Sequence, residues 1–307
     1  PPPKTRDQKV VQAALLLANN FMSRRAYTFR ARDKKLELGR RTHLMGVVNV
    51  TPDSFFDGGR YWEAPQAIER CLDLAENGAD ILDLGGESSR PGAEAVSGEE
   101  ELERILPVLK EVRKLVSLPI SIDTYKFQVA EEALKEGVDI VNDISAFRFD
   151  SELPEVIKKW DAGVILMHMR GTPQTMQNIP ASRDIMEEVE TDLQDAVAKA
   201  LGSGISSQQI MIDPGIGFGK ELEDNLKILN RLRDLDSLDL PILVGTSRKK
   251  FLGKILNLSA QDRLWGSAAS VAASIMRGAH IVRVHDVKEM SQVAQITDAV
   301  LAEGSPP

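Results

Sequence analysis

Polar side chains recur at one kind of position in this sequence, directly after short apolar runs, and they fall into two chemical sets. The first set is rich in hydrogen-bond acceptors, and burying it is costly unless a ligand or a cation supplies donors. It comprises Asp123, Asn142 and Asp213. The second set is basic and suits an anion with several oxygens. It comprises Arg90, Lys249, Arg283 and His285.

The two sets indicate two halves of one ligand. A flat heterocycle with an amino-pyrimidinone edge, such as guanine or a pterin, presents N–H donors side by side to the acceptors. The basic set, in a chain with a formal net charge of −8, indicates a phosphate or diphosphate. A diphosphate usually brings Mg²⁺, which keeps several waters and takes few protein oxygens. The amide oxygen of Asn49 is a candidate metal ligand.

The apolar runs before these residues predict eight strands. Each run is nearly continuous in apolar character, which is typical of strands covered on both faces. The predicted strands span residues 44–49, 80–85, 119–123, 139–143, 163–168, 210–213, 241–246 and 280–285. Segments with helical periodicity lie between them, at residues 67–78, 98–115, 127–137, 185–204 and 264–280. Eight such units in 307 residues favour an α/β fold, a (β/α)8 TIM barrel, over an open doubly wound sheet.

A barrel would bring the polar residues to one rim, because its chemistry lies at the carboxyl ends of the strands. Taken singly, each signal has a structural alternative. Asp123 could cap the helix that follows it, and Asn142 could belong to a turn. The basic run at residues 248–250 could be a solvated surface. The shared position after the strands favours a single site.

The composition of the chain leads to expectations about its binding partners, its cellular compartment and its domains. The acidic balance disfavours nucleic acid and anionic membranes, and no apolar run approaches the roughly 20 residues of a membrane span. Cys71 is the one cysteine and closes no intramolecular disulfide, so we expect a cytoplasmic location. Residues 1–25 are expected to be an extension with an amphipathic helix at residues 10–22, before a single domain at residues 26–307.

Eight segments in order resemble the signatures of the dihydropteroate synthase family. They are MGVVNVTPDSFFDGG (45–59), GGESSRPGA (85–93), SIDTYK (121–126), VNDIS (141–145), LMHMRGTPQTMQ (166–177), DPGIGFGK (213–220), GTSRKKFLG (245–253) and GAHIVRVHDV (278–287). The resemblance implies a (β/α)8 transferase of folate synthesis, typically a homodimer. Such an enzyme joins 6-hydroxymethyl-7,8-dihydropterin diphosphate to 4-aminobenzoate, giving 7,8-dihydropteroate and diphosphate in an SN1-like substitution. Sulfonamides compete with the aminobenzoate.

The resemblance also implies roles for individual residues. The pterin would be held by Asp123, Asn142, Met167, Asp213, Lys249 and Arg283. The diphosphate would be held by Asn49, Arg90, Arg283 and His285, with Asn49 also binding Mg²⁺. The aminobenzoate slot would be lined by Phe55, Ser89, Pro91, Phe218 and Lys250, which stands where many members have serine. Catalysis would rest on Asp123, Lys249, Arg283, His285 and Arg90. The loops at residues 49–59 and 85–95 would close over the mouth.

Two other functions are compatible with a pterin site. A methyltransferase that uses methyltetrahydrofolate would share the acidic pterin cradle but would not need the basic residues that suit a diphosphate. A non-catalytic pterin-binding module would have little use for a loop that excludes water from the site. The basic set and the loop at residues 49–59 therefore favour the synthase.

Overall fold

Eight parallel strands form a barrel in the computed structural model, which describes residues 24–51, 63–89 and 92–304. The strands, in chain order, are β1 (Tyr27–Ala31), β2 (Lys34–Leu38), β3 (His43–Asn49), β4 (Ile81–Gly85), β5 (Ile120–Asp123), β6 (Ile140–Asp143), β7 (Gly163–Met167), β8 (Ile210–Asp213), β9 (Leu243–Val244) and β10 (Ile281–Val284). Strands β1 and β2 form a separate antiparallel hairpin. The parallel sheet has the order β8-β7-β6-β5-β4-β3-β10-β9, and a parallel bridge from Ile212 to Ile242 links its two edges. The predicted (β/α)8 barrel is therefore confirmed.

Helices lie between the barrel strands, as parallel crossovers require. The described helices are α1 (Glu63–Glu76), α2 (Gly98–Leu115), α3 (Phe127–Lys135), α4 (Leu153–Lys159), α5 (Ile185–Gly202), α6 (Leu222–Asn230), α7 (Lys250–Leu256), α8 (Leu264–Met276) and α9 (Val287–Ala302). Ser97 caps the start of helix α2, because its hydroxyl accepts a hydrogen bond from the Glu100 N–H. None of these helices is long and apolar enough to cross a membrane.

The predicted strands are all present, with bounds within two residues of those expected. The five predicted helices are also present, although α1 begins four residues earlier and α8 ends four residues earlier than expected. The sequence analysis missed α4, α6, α7, α9 and the hairpin. Three of these helices have nine residues or fewer, too few turns to give a clear period. The helix expected at residues 10–22 lies outside the described residues.

The amino-terminal end of the barrel is filled with apolar side chains and covered by the hairpin. Alternate strand residues point inward and form one buried layer, made of Met45, Ile81, Ile140, Ile165, Met211, Leu243 and Ile281. Phe29, Ala31 and Leu38 of the hairpin pack against this layer. The residues between them, such as Leu82 and Val141, join the cluster that includes the helices. The inward-facing polar residues therefore lie at the carboxyl-terminal end of the barrel.

The hairpin makes a testable contribution to stability through Phe29, which is 1% exposed. We expect Phe29→Ala to lower the free energy of unfolding by about 3–5 kcal/mol, because it leaves a void between the hairpin and the barrel. The unfolding midpoint in urea measures this loss. Lys35→Ala, at an exposed position of the same hairpin, is the matched control and should change stability by about 0.5 kcal/mol or less. Equal losses in both variants would contradict the role of the hairpin.

Candidate active site

The carboxyl-terminal end of the barrel contains polar residues that the strand pleat turns inward. Asp83 and Asn142 occupy the inward positions that follow the apolar layer on β4 and β6, and both are buried. Arg283 takes the equivalent position on β10, and Asp123 and Asp213 end β5 and β8. The barrel therefore brings together the acceptor-rich residues that the sequence analysis proposed for one site.

Arg283 is held between two carboxylates inside the barrel. Its Nε donates to Oδ2 of Asp83 at 2.6 Å, and its Nη2 donates to Oδ2 of Asp123 at 2.7 Å. Asn142 Nδ2 donates to the same Asp83 oxygen at 3.3 Å, while Asp83 Oδ1 has no partner among the described residues. Burial lowers the pKa of Arg283, but the two carboxylates raise it further, so the guanidinium stays charged and fixed in place.

Asp123 titrates close to neutral pH. Burial raises the pKa of its carboxyl to about 7, and the negative charge of Asp83 acts in the same direction, while Arg283 opposes both. A carboxyl in this range exists in both protonation states near pH 7. The charge of this residue is therefore sensitive to whatever binds beside it.

Lys249 follows β9, the strand beside β10, and lies near Asp213 and Phe218. Its ammonium donates to the carbonyl of Ile216 and lies 4.4 Å from the centroid of the Phe218 ring. Burial lowers the pKa of Lys249 to about 8, and Asp213 opposes this shift. Asp213 also accepts the Gly215 N–H at 2.7 Å, so one carboxylate both faces the lysine and shapes the loop that carries Phe218.

The loop between Asp213 and Lys220 depends on a glycine at its closest approach. Gly215 has a φ of +66°, and a Cβ at this residue would lie 1.8 Å from the carbonyl oxygen of His168. Only glycine tolerates both the left-handed backbone and this proximity. Asn225 Oδ1 accepts the Gly217 N–H at 2.6 Å, which holds the next turn of the loop.

The remaining predicted residues take different positions. His285 follows β10, and its Nδ1 lies 3.1 Å from the Ser247 hydroxyl oxygen. Asn49 ends β3 beside Gly85, and Ser89 is partly buried in the loop after β4. Met167 ends β7 in a small apolar cluster that Phe218 contacts, and Lys250 is the exposed first residue of α7. Phe55, Arg90 and Pro91 lie outside the described residues, as does most of the loop at residues 49–59.

Two other polar residues after the strands lie outside the mouth. His168 follows the inward Met167 and is turned towards α5, where its Nε2 lies 3.3 Å from Oδ2 of Asp192. Arg248 forms a two-point ion pair with Asp286 at 2.6 and 2.8 Å. The side chains of Met167 and His168 point in opposite directions because residues alternate along a strand. The different directions of Lys249 and Arg248 depend on the conformation of the loop that carries them.

The sequence analysis missed Asp83, although a signal was present. Asp83 is the one carboxylate inside the short buried strand β4, and it alternates with Ile81 and Gly85 on the inward face. An isolated acid in such a strand needs a buried partner, because an unpaired carboxylate is costly there. Arg283 is that partner, but it lies 200 residues further along the chain.

Comparisons with known proteins place the chain in a family. The sequence profile described as "Pterin binding enzyme" matches residues 45–285. The dihydropteroate synthase of Synechocystis sp. is 46% identical over 263 residues, which cover 85% of this chain and 91% of the relative.

Two solved structures share the fold. The dihydropteroate synthase of Clostridium difficile, solved in the presence of pteroic acid, is 45% identical, with a TM-score of 0.82 over 86% of this chain and 98% of the other. The Xanthomonas albilineans enzyme, solved with 4-aminobenzoic acid, is 38% identical, with a TM-score of 0.84 over 91% of this chain and 99% of the other. The chain therefore belongs to the dihydropteroate synthases, transferases of folate synthesis within the pterin-binding enzyme family.

Proposed function

We propose that the mouth of this barrel joins 6-hydroxymethyl-7,8-dihydropterin diphosphate to 4-aminobenzoate and releases diphosphate. The observation that carries the proposal is the placement of Arg283 between Asp83 and Asp123, beside Asn142 and inside the barrel. Relatives solved with pteroic acid and with 4-aminobenzoic acid support the two substrate classes.

The acceptor-rich residues bind the pterin in this proposal. Asp123, Asn142 and Asp213 accept hydrogen bonds from the amino-pyrimidinone edge, and Met167 supplies an apolar contact for the ring. Arg283 stacks on the heterocycle, and Lys249 neutralises Asp213 and donates to the ring. An analogue without the N–H donors would leave buried acceptors unpaired and would bind poorly.

The diphosphate is bound above the pterin by Arg283, His285, Asn49 and Arg90. Mg²⁺ fits this arrangement on the available donors. The Asn49 side chain is partly exposed at the end of β3, and the described residues contain no cluster of three or more His, Cys, Asp or Glu that would form a closed metal cage. Asn49 would supply one oxygen to Mg²⁺, which commonly keeps waters and binds substrate phosphates. When bound, Mg²⁺ neutralises charge on the leaving group.

Catalysis in this proposal needs no protein nucleophile. The bond from the pterin methylene to the diphosphate oxygen breaks first, and both bonding electrons leave with the diphosphate. Arg283 and His285 stabilise the leaving anion, and the Asp123 carboxylate stabilises the positive charge shared by the methylene and the ring. The aminobenzoate nitrogen then bonds to the methylene carbon and loses a proton. The enzyme contributes positioning and preorganised charge.

The aminobenzoate slot lies at the outer part of the mouth in this proposal. Phe218 lies beside the Lys249 ammonium and supplies one wall, and Ser89 belongs to the loop after β4. Phe55 and Pro91 complete the proposed slot. Lys250, exposed at the start of α7, pairs with the aminobenzoate carboxylate, where a lysine charge replaces the hydroxyl of many relatives. Sulfonamides compete for this slot, and their affinity depends on the geometry of that lysine contact.

The surface supports a homodimer as part of the proposal. Helices α6, α7 and α8 contact one another and carry large apolar side chains exposed to solvent. These side chains are Leu226, Ile255, Leu256, Trp265 and Met276, and Leu258 is exposed in the loop between α7 and α8. The small-residue face of α8 is used within the barrel, because Ser267, Ser270 and Ser274 are buried there. Large exposed apolar groups on adjacent helices are typical of an interaction surface.

The net charge and the buried cysteine support the expectations about partners and cellular compartment. The net charge of −8 disfavours nucleic acid and anionic membranes as partners, which leaves the two small-molecule substrates. Cys71 is buried, and burial raises the pKa of its thiol to about 12, so it is unreactive. A cytoplasmic location is the compartment that we propose.

Asp123→Asn tests the proposed function. We expect turnover to fall roughly 10²- to 10³-fold, because a neutral amide cannot stabilise positive charge on the pterin. The measurement is diphosphate release from the pterin diphosphate with Mg²⁺, with and without 4-aminobenzoate. Asp33→Asn, at an exposed ion pair with Lys34 in the hairpin at the other end of the barrel, is the matched control and should keep full activity. Near-normal turnover in Asp123→Asn, or multiple-turnover diphosphate release that does not need aminobenzoate and yields no dihydropteroate, would overturn the proposal.

The pH profile of kcat/KM should be bell-shaped. Asp123 must be ionised, so activity rises as the pH passes its pKa of about 7. Lys249 must be protonated, so activity falls as the pH passes its pKa of about 8. Initial rates between pH 5.5 and 9.5 (roughly, to bracket both limbs) measure the profile. Lys249→Arg should remove the alkaline limb, since arginine stays charged in this range; an unchanged limb would exclude Lys249 as its source.

The homodimer is tested at Trp265, which is 81% exposed. We expect light scattering on the wild-type protein to give the mass of two chains and Trp265→Glu to give the mass of one, because a buried charge disfavours an apolar interface. Leu115→Glu, at an exposed leucine that ends α2, is the control and should stay dimeric. A wild-type protein with the mass of one chain would refute the dimer.

A further inference from the structure

Lys126 joins three segments of the barrel rim. Its ammonium forms ion pairs with Glu87, in the loop after β4, and with Glu101 on α2, the latter at 2.5 Å. Lys126 itself follows β5 and lies three residues after Asp123. The Tyr125 hydroxyl donates to Oε1 of Glu87 at 3.1 Å, so two consecutive residues hold the same carboxylate.

The three side chains in these ion pairs are largely buried. The side chain of Lys126 is 17% exposed, and those of Glu87 and Glu101 are 10% and 1% exposed. Burial raises the pKa of Glu101, and Lys126 opposes that shift. Removing one partner from a buried ion pair leaves an uncompensated charge, which destabilises the fold. Lys126 therefore compensates two carboxylates that have little access to solvent.

The described parts of the loop after β4 are fixed at several points. Arg104 on α2 donates to the Gly86 carbonyl at 2.7 Å, and Glu87 is held by Lys126 and Tyr125. On the far side, the Gly92 N–H donates to the carbonyl of Pro173 at 3.0 Å. Ser89 lies between these anchors. Lys126, with Tyr125 and Arg104, thus fixes the near side of this loop relative to the end of β5.

The same three charges act on Asp123. Glu87 and Glu101 both disfavour its ionised form, as Asp83 does, while Arg283 and Lys249 favour it. Lys126 offsets the two glutamates at their own carboxylates. The loop contact and the charge balance at the pterin site therefore depend on one side chain.

We propose that Lys126 is a positioning residue for the synthase reaction, which holds the Ser89 loop over the end of β5 and shields Asp123 from the charges of Glu87 and Glu101. The inference rests on the role proposed for Asp123. Lys126 acts through these partners and contacts no reacting atom. Its two effects are separable, because the loop affects aminobenzoate binding and the shielding affects the ionisation of Asp123.

Opposite charge changes test the proposal. In Lys126→Met the glutamates are unopposed, so we expect the acidic limb of the kcat/KM profile to move up by about 0.5–1 pH unit, with a higher KM for aminobenzoate. In Glu87→Gln one negative charge is lost while the pair of Lys126 with Glu101 remains, so the limb should move down. In Lys126→Arg both ion pairs remain, and the limb and KM should stay near wild type. Lys126→Met combined with Glu87→Gln should return the limb towards wild type but not the KM.

The controls separate this inference from the proposed function. Lys114→Met, at an exposed ion pair with Glu111 on α2, should leave both readouts unchanged. A merely structural role would lower the melting temperature without moving the limb in opposite directions, and this result would overturn the inference. If Lys126→Met does not fold, Glu87→Gln and Lys126→Arg decide it. Loss of activity in Asp123→Asn with an unmoved limb in Glu87→Gln would refute the role of Lys126 alone.

Discussion

The placement of Arg283 between Asp83 and Asp123 is the interaction on which the site depends. A guanidinium inside a barrel is costly to desolvate, and two carboxylates offset that cost only while both remain in contact. The same contacts fix the guanidinium plane, because Nε and Nη2 are engaged by different strands. A charge that is already oriented needs no rearrangement when a substrate arrives, which is the condition for effective electrostatic catalysis.

Much of the fold could be predicted from the sequence because barrel strands are short, apolar and spaced by helices. Asp123, Asn142 and Asp213 were found because they interrupt apolar runs at the positions where a barrel gathers chemistry. The inward direction of Met167 and the outward direction of His168 also follow from alternation. The family resemblance, confirmed by relatives of 46% and 45% identity, then connected the pattern to a reaction.

Other features could not be predicted because they depend on contacts between distant segments. Lys249 and Arg248 are neighbours in sequence, yet one faces Asp213 and the other pairs with Asp286. A run of consecutive basic residues has no periodic pattern that would show which side chain faces the site. The ion pairs of Lys126 join residues 25 and 39 positions apart, and they form only when α2 lies against the end of β5. The hairpin was missed because its strands lie before the repeating pattern begins.

The hairpin over the amino-terminal end has a consequence for the order of events. Phe29 and Leu38 close the amino-terminal end among the described residues, which leaves the polar carboxyl-terminal end as the entrance in the proposed function. In the proposed function the pterin binds against Asp123, deeper in the barrel than the aminobenzoate, so we expect the pterin to bind first. Because the proposed diphosphate site lies above the pterin, we also expect diphosphate to leave before the larger product. The order of substrate binding and product release would then follow from the shape of the barrel and not from any single contact.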